Sequence, residues 1–207
     1  MLVRRGNSGT NEEGRMKIIG LSSALIIVIG LNTSQATTVK FKGPGDANAV
    51  TKESVAQLIA NIERLKNAGE RDIVVELNSG GGDLQQALNG YAKMKELGVD
   101  TYASIYCGSS CTILYAAGKR RTAGKVAKFM FHPIKIELAS GLSKEKKAEV
   151  KARMDEYIHH FSQRWYEVIR SVDSHLAYEL ERDNVLTEGR ERNFTARTLR
   201  RSGFVSE

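Results

Sequence analysis

Residues 107–118 of the chain are Cys107-Gly108-Ser109-Ser110-Cys111-Thr112-Ile113-Leu114-Tyr115-Ala116-Ala117-Gly118. A glycine cluster precedes them, Asn78-Ser79-Gly80-Gly81-Gly82-Asp83, and the run Phe129-Met130-Phe131-His132-Pro133 follows them. Hydrolysis by a serine needs a nucleophile, a base that takes its proton, and backbone donors for a negative oxygen. The three segments together contain each of these groups, so they indicate a serine hydrolase.

Strands and helices are predicted to alternate around these segments. Short apolar or alternating runs predict strands at residues 37–42, 73–77, 101–106 and 128–132, and apolar residues at helical spacing predict helices between them. This order predicts an α/β fold with a mostly parallel sheet covered by helices. Functional sites gather at the strand ends of such sheets, and the glycine cluster and the serine segment both follow a predicted strand.

The same segments resemble those of a known family. The glycine cluster is similar to the Asn-Ser-Pro-Gly-Gly-Ser loop of the Clp protease proteolytic subunit, and residues 109–118 are similar to its Ser-Met-Gly-Ala-Phe-Leu-Leu-Ala-Ala-Gly helix. Residues 129–133 resemble the strand that carries the family's catalytic histidine. The resemblance implies a Clp protease/crotonase-like fold and the activity of a serine-type endopeptidase.

The resemblance also assigns roles to individual residues. An ungapped match through Ala-Ala-Gly places Ser109, rather than Ser110, at the nucleophile position and His132 at the position of the general base. The backbone N–H groups of Gly81 and Ser110 are the expected oxyanion donors. Gly80 departs from the family pattern, which has proline here; the change loosens the loop without removing a needed donor.

A third catalytic member is expected to be an acid that orients the histidine. The segment Glu181-Arg182-Asp183 resembles the Glu-Arg-Asp that supplies this acid in the family, so Asp183 is the predicted residue. The spacing from Asp183 to Phe194 is longer than in the family, and an insertion must be assumed. Asp173 and Glu188 are the alternatives.

Cys107 and Cys111 are the only cysteines, and they bracket the serine. In an oxidising compartment such a pair usually forms a disulfide, which here would hold the serine turn. Two free buried thiols or a metal-binding pair are the alternatives, although two cysteines without nearby ligands make a weak zinc site. We expect no metal and no cofactor. Within the superfamily, the pattern is most similar to secreted or periplasmic Clp-like proteins with a Cys-x-Ser-x-Cys arrangement.

The first 36 residues have the pattern of a signal peptide. A basic start at Met16 precedes an apolar run, residues 18–31, that is short for a bilayer span, and the small residues Ser34 and Ala36 indicate cleavage after Ala36. We expect export to the periplasm or the cell exterior, and a mature Clp-like domain of residues 37–207. An uncleaved membrane anchor is the alternative. Residues 1–15 are either a mis-assigned start or an extended polar region.

A long amphipathic helix is predicted at residues 143–170, in the second half of the chain. A long helix in this region meets other subunits in the Clp family, and packing on its own domain is the alternative.

We expect a peptide or unfolded polypeptide as substrate and a homo-oligomer as the assembly. We expect no use of ATP, because export separates the chain from ATP-driven unfoldases. The formal net charge of +7 does not by itself indicate nucleic-acid binding. Membrane contact is expected only for an uncleaved signal.

Two other functions fit the same fold. One is a non-catalytic binding or assembly protein in the periplasm, which is distinguished by whether His132 lies within hydrogen-bond reach of Ser109. The other is thioester chemistry of the crotonase kind, which is disfavoured because acyl-CoA is not expected outside the cytoplasm.

Overall fold

The computed structural model describes residues 36–135 and 143–206. The predicted signal peptide, apart from Ala36, lies outside the described residues. Within these ranges, no helix combines the length and the apolar character needed to cross a membrane.

The described strands and helices follow the predicted alternation. In chain order they are β1 (Thr37–Lys40), α1 (Lys52–Asn67), β2 (Ile73–Ser79), α2 (Leu84–Leu97), β3 (Asp100–Gly108), α3 (Cys111–Ala116), β4 (Arg121–Ala123), β5 (Lys128–Phe131), α4 (Lys144–Arg170), α5 (Ser174–Arg182), β6 (Arg192–Thr195) and α6 (Ala196–Ser202).

These strands form one sheet in the order β1-β2-β3-β5-β6, with β4 paired to the first part of β3. The pairs of β1 with β2, β2 with β3, β3 with β4 and β3 with β5 are parallel, and β5 with β6 is antiparallel. The predicted α/β fold with a mainly parallel sheet and covering helices is therefore confirmed.

The centre of the sheet brings three functional segments together. The pairing of β2 with β3 shifts its register between Leu77 and Ser79, and Ser79 then lies opposite Cys107. The end of β3 pairs with β5, with Gly108 opposite Met130. The glycine cluster after β2, the serine after β3 and the histidine after β5 consequently leave the sheet next to one another.

The helices nearest to these segments begin and end at residue types that favour such positions. Thr51 forms a capping box with Ser54 at the start of α1. Asp83 accepts the N–H of Gln86 at 3.0 Å and so caps α2 directly after the glycine cluster. Gly98 ends α2 in the left-handed conformation, with φ of 62°.

The long helix α4 has two different halves. Its second half packs on the domain, because Phe161, Trp165 and Ile169 are 6%, 1% and 0% exposed. In its first half, Met154 is half-buried and Tyr157 is 39% exposed, and both line the cavity described below. The predicted helix is confirmed, including packing on its own domain. Contact with other subunits stays a prediction.

Two short strands, β4 and β6, were not predicted. β6 affects the site because it is the edge strand of the sheet and pairs with β5. Arg192 of β6 lies opposite Phe131, the residue before His132. β6 therefore fixes the end of the strand that carries the histidine.

Candidate active site

Ser109 forms the turn between β3 and α3. Its backbone φ is +54°, in the left-handed region that residues with a side chain rarely adopt. The turn is held from the neighbouring strand, because the Ser109 N–H donates to the Met130 carbonyl oxygen at 2.8 Å. Ser109 thus lies at the end of the sheet, half-exposed, beside the strand that leads to His132.

The glycine cluster lies directly against the serine turn. A Cβ atom built on Gly81 would lie 2.6 Å from Ser109 Cβ and 2.9 Å from the Ser110 nitrogen. Gly81 also has a φ of +96°. Glycine is needed here on both counts, since any side chain would collide with the turn and strain the backbone.

The N–H groups in this region differ in what they bind. Gly81 N–H, a predicted oxyanion donor, donates to Ser79 Oγ at 3.1 Å. That hydroxyl donates in turn to the Asn48 carbonyl oxygen at 2.6 Å. The N–H groups of Gly82 and Ser110 have no acceptor among the described residues. Ser110 N–H therefore fits its predicted role directly, whereas Gly81 N–H must first leave Ser79.

Gly82 presents its polar groups to the serine turn. It lies opposite Val50 in an isolated parallel bridge, whose two bonds use the carbonyl of Gly81 and the N–H of Asp83, each at 2.8 Å. The polar groups of Gly82 itself consequently face away from Val50. Its carbonyl accepts the Ser110 hydroxyl at 3.2 Å, and Gly82 lines the same cavity as Ser109.

His132 follows β5 and has a defined ring orientation. Its Nδ1 lies 2.6 Å from the carbonyl oxygen of Pro133. Because a carbonyl oxygen can only accept, Nδ1 carries the hydrogen, and in the neutral ring Nε2 is then the acceptor. This is the tautomer that a general base requires.

Ser109 and His132 line one cavity of about 540 Å³. Their side chains do not form a hydrogen bond with each other within the described part of the chain. The first half of α4 contributes four residues to the lining, and most of the lining surface is apolar. The lining residues are Gly82, Asp83, Leu84, Ser109, His132, Ile134, Lys135, Val150, Arg153, Met154, Tyr157 and Trp165.

The predicted acid, Asp183, lies in a cluster of arginines. Its carboxylate contacts Arg192 Nη1 at 2.6 Å and Arg182 Nε at 2.9 Å. The hydrogen bond from Arg182, with a further contribution from Arg192, lowers the pKa of Asp183 below its ordinary value. Among the described residues, His132 hydrogen-bonds only to Pro133, so the structure does not join Asp183 to the imidazole.

The alternative acids are also absent from the lining of the cavity. Asp173 is 4% exposed and caps α5 by accepting the Leu176 N–H at 2.9 Å. Glu188 is exposed in the loop between α5 and β6. Neither carboxylate lines the cavity that holds Ser109 and His132.

Cys107 and Cys111 form a disulfide, and both residues are fully buried at 0% exposure. The bond joins the end of β3 to the first residue of α3, so it spans the turn that contains Ser109. The predicted disulfide is confirmed, and the free-thiol and metal-pair alternatives are excluded. The part of the chain that the structure describes also contains no group of three His, Cys, Asp or Glu residues placed to hold a metal ion.

Comparison with known proteins gives a family match that covers this region. A family model described as Clp protease matches residues 45–193, which is well over half of the chain. The matched range includes the glycine cluster, the serine turn, His132 and Asp183. A search of curated proteins finds no match.

Proposed function

The chain belongs to the Clp protease family, and from this premise we propose that it is a serine peptidase whose nucleophile is Ser109 and whose general base is His132. The observation that carries the proposal is the common cavity that both side chains line, with the glycine cluster packed against the serine turn. Family members act on peptides, so a peptide or unfolded polypeptide is the proposed substrate.

In the proposed reaction, Ser109 Oγ attacks the carbonyl carbon of the scissile peptide bond while His132 Nε2 takes the hydroxyl proton. The tetrahedral intermediate collapses, the C–N bond breaks, and Nε2 returns the proton to the leaving amine. Water then repeats the sequence on the acyl-enzyme and releases the acid. Proton transfer requires Oγ and Nε2 to come within hydrogen-bond distance, and catalytic hydrogen bonds often tighten only when substrate binds.

The negative oxygen of the intermediate needs donors that are already in place. We assign this role to the N–H of Ser110 and to one N–H of the glycine cluster. Gly82 N–H is the donor without an internal acceptor among the described residues, and Gly81 N–H can join only after it leaves Ser79.

The imidazole of His132 is oriented by a backbone carbonyl in this proposal. The Pro133 oxygen accepts the Nδ1 hydrogen, which keeps Nε2 free to accept a proton. Asp183 then has a supporting role, because its ion pair with Arg192 fastens β6 beside the end of β5.

The proposed location is outside the cytoplasm, which separates the chain from cytosolic ATP-driven unfoldases. The apolar segment at residues 18–31 and the disulfide at the serine turn support this proposal. Expression of the full chain in a bacterial host tests it. N-terminal sequencing of the periplasmic product should begin at Thr37, and retention of the whole chain in the cytoplasm would contradict export.

Labelling with a fluorophosphonate tests the catalytic assignment. The wild-type chain should be labelled without ATP, and Ser109→Ala should lose the label completely. Ser174→Ala is the matched control, because Ser174 is exposed in α5 and does not line the cavity. Equal labelling of the Ser109→Ala variant would exclude Ser109 as nucleophile.

A non-catalytic binding protein is the second candidate. It is favoured by one observation, namely that the described contacts of His132 include neither Ser109 nor a carboxylate. In that case the wild-type chain would not react with the fluorophosphonate, while peptides would still alter the fluorescence of Trp165, the only tryptophan, in the cavity wall.

A further inference from the structure

Two buried polar side chains link the long helix α4 to the peptide unit of Ser109. Trp165 in α4 is 1% exposed, and Thr112 in α3 is 0% exposed. The Trp165 indole N–H donates to Thr112 Oγ1 at 3.1 Å, and Thr112 Oγ1 donates to the Ser109 carbonyl oxygen at 2.8 Å. Neither side chain is assigned a part in the proposed reaction.

The direction of each bond in this chain is fixed by chemistry. An indole N–H can only donate, so the Thr112 hydroxyl must accept it. A hydroxyl has one hydrogen, and a carbonyl oxygen can only accept, so that hydrogen points to Ser109. Thr112 alone would be an ordinary case of a threonine bonded to a carbonyl three residues earlier. The hydrogen bond from Trp165 makes Thr112 different from that ordinary case, because the indole N–H holds the Thr112 hydroxyl in one rotational state.

The anchored carbonyl controls the adjacent N–H. The C=O of Ser109 and the N–H of Ser110 belong to one planar peptide unit, in which the two groups point in opposite directions. The Ser109 oxygen receives two donors from Thr112, the hydroxyl at 2.8 Å and the backbone N–H at 2.9 Å. These bonds therefore also fix where the Ser110 N–H points, and that N–H has no acceptor among the described residues.

We propose that Thr112 and Trp165 are positioning residues that hold the Ser109–Ser110 peptide unit, so that the Ser110 N–H is directed at the oxyanion of the reaction. The inference rests on the proposed function, because the oxyanion exists only if Ser109 attacks a substrate. Trp165 also lines the cavity that holds Ser109 and His132. The hydrogen-bond chain therefore connects a residue of the cavity wall to the backbone of the nucleophile.

The test compares Thr112→Val, which keeps the shape and removes the hydroxyl, with Thr112→Ser, which keeps the hydroxyl. The probe is a fluorophosphonate, whose reaction with serine also places a negative oxygen at the donors. We expect kinact to fall about tenfold or more in Thr112→Val, with KI unchanged, because a misaligned donor weakens only the transition state. Thr112→Ser should stay within about twofold of the wild type.

A second readout does not depend on activity. Because Trp165 is the only tryptophan, its indole N–H gives a single resonance in a proton–nitrogen correlation spectrum of the labelled chain. Thr112→Val should move this resonance upfield and accelerate its hydrogen exchange, and Thr112→Ser should retain both properties. A wild-type resonance in Thr112→Val would contradict the hydrogen-bond chain.

The outcomes separate this inference from the proposed function. A wild-type kinact in Thr112→Val, together with complete loss of labelling in Ser109→Ala, overturns the positioning role and leaves the peptidase assignment intact. Absence of labelling in the wild-type chain overturns both. If Thr112→Val does not fold, Trp165→Phe replaces it, because this change keeps one aromatic ring in the core and removes the N–H; an unchanged kinact there also overturns the inference.

Discussion

The Nδ1 atom of His132 lies 2.6 Å from the carbonyl oxygen of Pro133. In a serine triad this nitrogen normally donates to a carboxylate, which orients the ring and stabilises its cation. A carbonyl oxygen can orient the ring in the same way. It stabilises the imidazolium cation less than a carboxylate does, because it carries a dipole and not a full negative charge. The proposed site is therefore closer to a serine–histidine pair than to a full triad.

Asp183→Asn should accordingly have a mild effect on catalysis. We expect fluorophosphonate labelling to fall by less than about tenfold, because the contact of His132 with Pro133 remains, whereas loss of the acid in a true triad costs roughly ten-thousandfold in kcat. A loss of that larger size would show that Asp183 reaches the imidazole during the reaction.

The same substitution should change stability in acid. Arg182 and Arg192 lower the pKa of the Asp183 carboxyl in the folded chain. A lowered pKa stabilises the fold above the range in which an unfolded aspartate titrates, and this contribution is lost as the pH falls through the folded pKa. In urea unfolding, the difference between wild type and Asp183→Asn should thus shrink below about pH 4; a difference that stays constant down to pH 2 would exclude the ion pairs as its source.

Ser79→Ala tests which glycine supplies the oxyanion donor. The substitution removes the acceptor of the Gly81 N–H and the donor to the Asn48 carbonyl oxygen. If Gly82 is the donor, labelling should stay equal or fall by a few fold, because the loop loses an anchor and gains no new donor. An increase in kinact would instead identify Gly81 as a donor that Ser79 holds back.

Removing the disulfide should reduce both the stability of the fold and the activity of the site. The bridge closes a loop with a sequence separation of 4, so its loss should cost on the order of 2 kcal/mol. The pair Cys107→Ala and Cys111→Ala should nevertheless lower kinact at least tenfold, because both residues flank the left-handed turn at Ser109. Reduced wild-type protein is the control and should behave alike. Labelling of the double variant at the wild-type rate would contradict a role in holding the turn.

The fold was accessible from the sequence because its signals are local. Apolar periodicity marks the helices, Thr51 and Gly98 mark helix ends, and parallel strands place their carboxyl ends at one edge. That last rule also brings Ser109 and His132 to the same cavity. The strand β6 was missed because its four residues, Arg192–Thr195, alternate between intermediate and exposed positions and contribute little apolar pattern.

The fine geometry of the site could not be read from the sequence. The contact of His132 with Pro133 uses a backbone carbonyl, a group that every residue carries. The capture of Gly81 N–H by Ser79 depends on how one loop folds back on itself. Asp183 has the expected motif, but its partner Arg192 lies nine residues further along the chain and on another element.

Tyr115→Phe should stabilise the protein, most of all in alkali. The Tyr115 ring packs against Phe129 at 4.9 Å between centroids, but its buried hydroxyl has no partner among the described residues. Removing an unpaired buried hydroxyl should raise the free energy of unfolding by about 1 kcal/mol near neutral pH.

The advantage of the phenylalanine variant should depend on pH. Burial raises the pKa of Tyr115, so the folded chain keeps the hydroxyl neutral. Above about pH 10 the unfolded tyrosine ionises while the folded one does not, so the free energy of unfolding of the wild type falls. Urea unfolding followed by Trp165 fluorescence should show the advantage of the phenylalanine variant growing above that pH. A variant that is less stable than the wild type at neutral pH would show that the hydroxyl has a partner, such as an internal water.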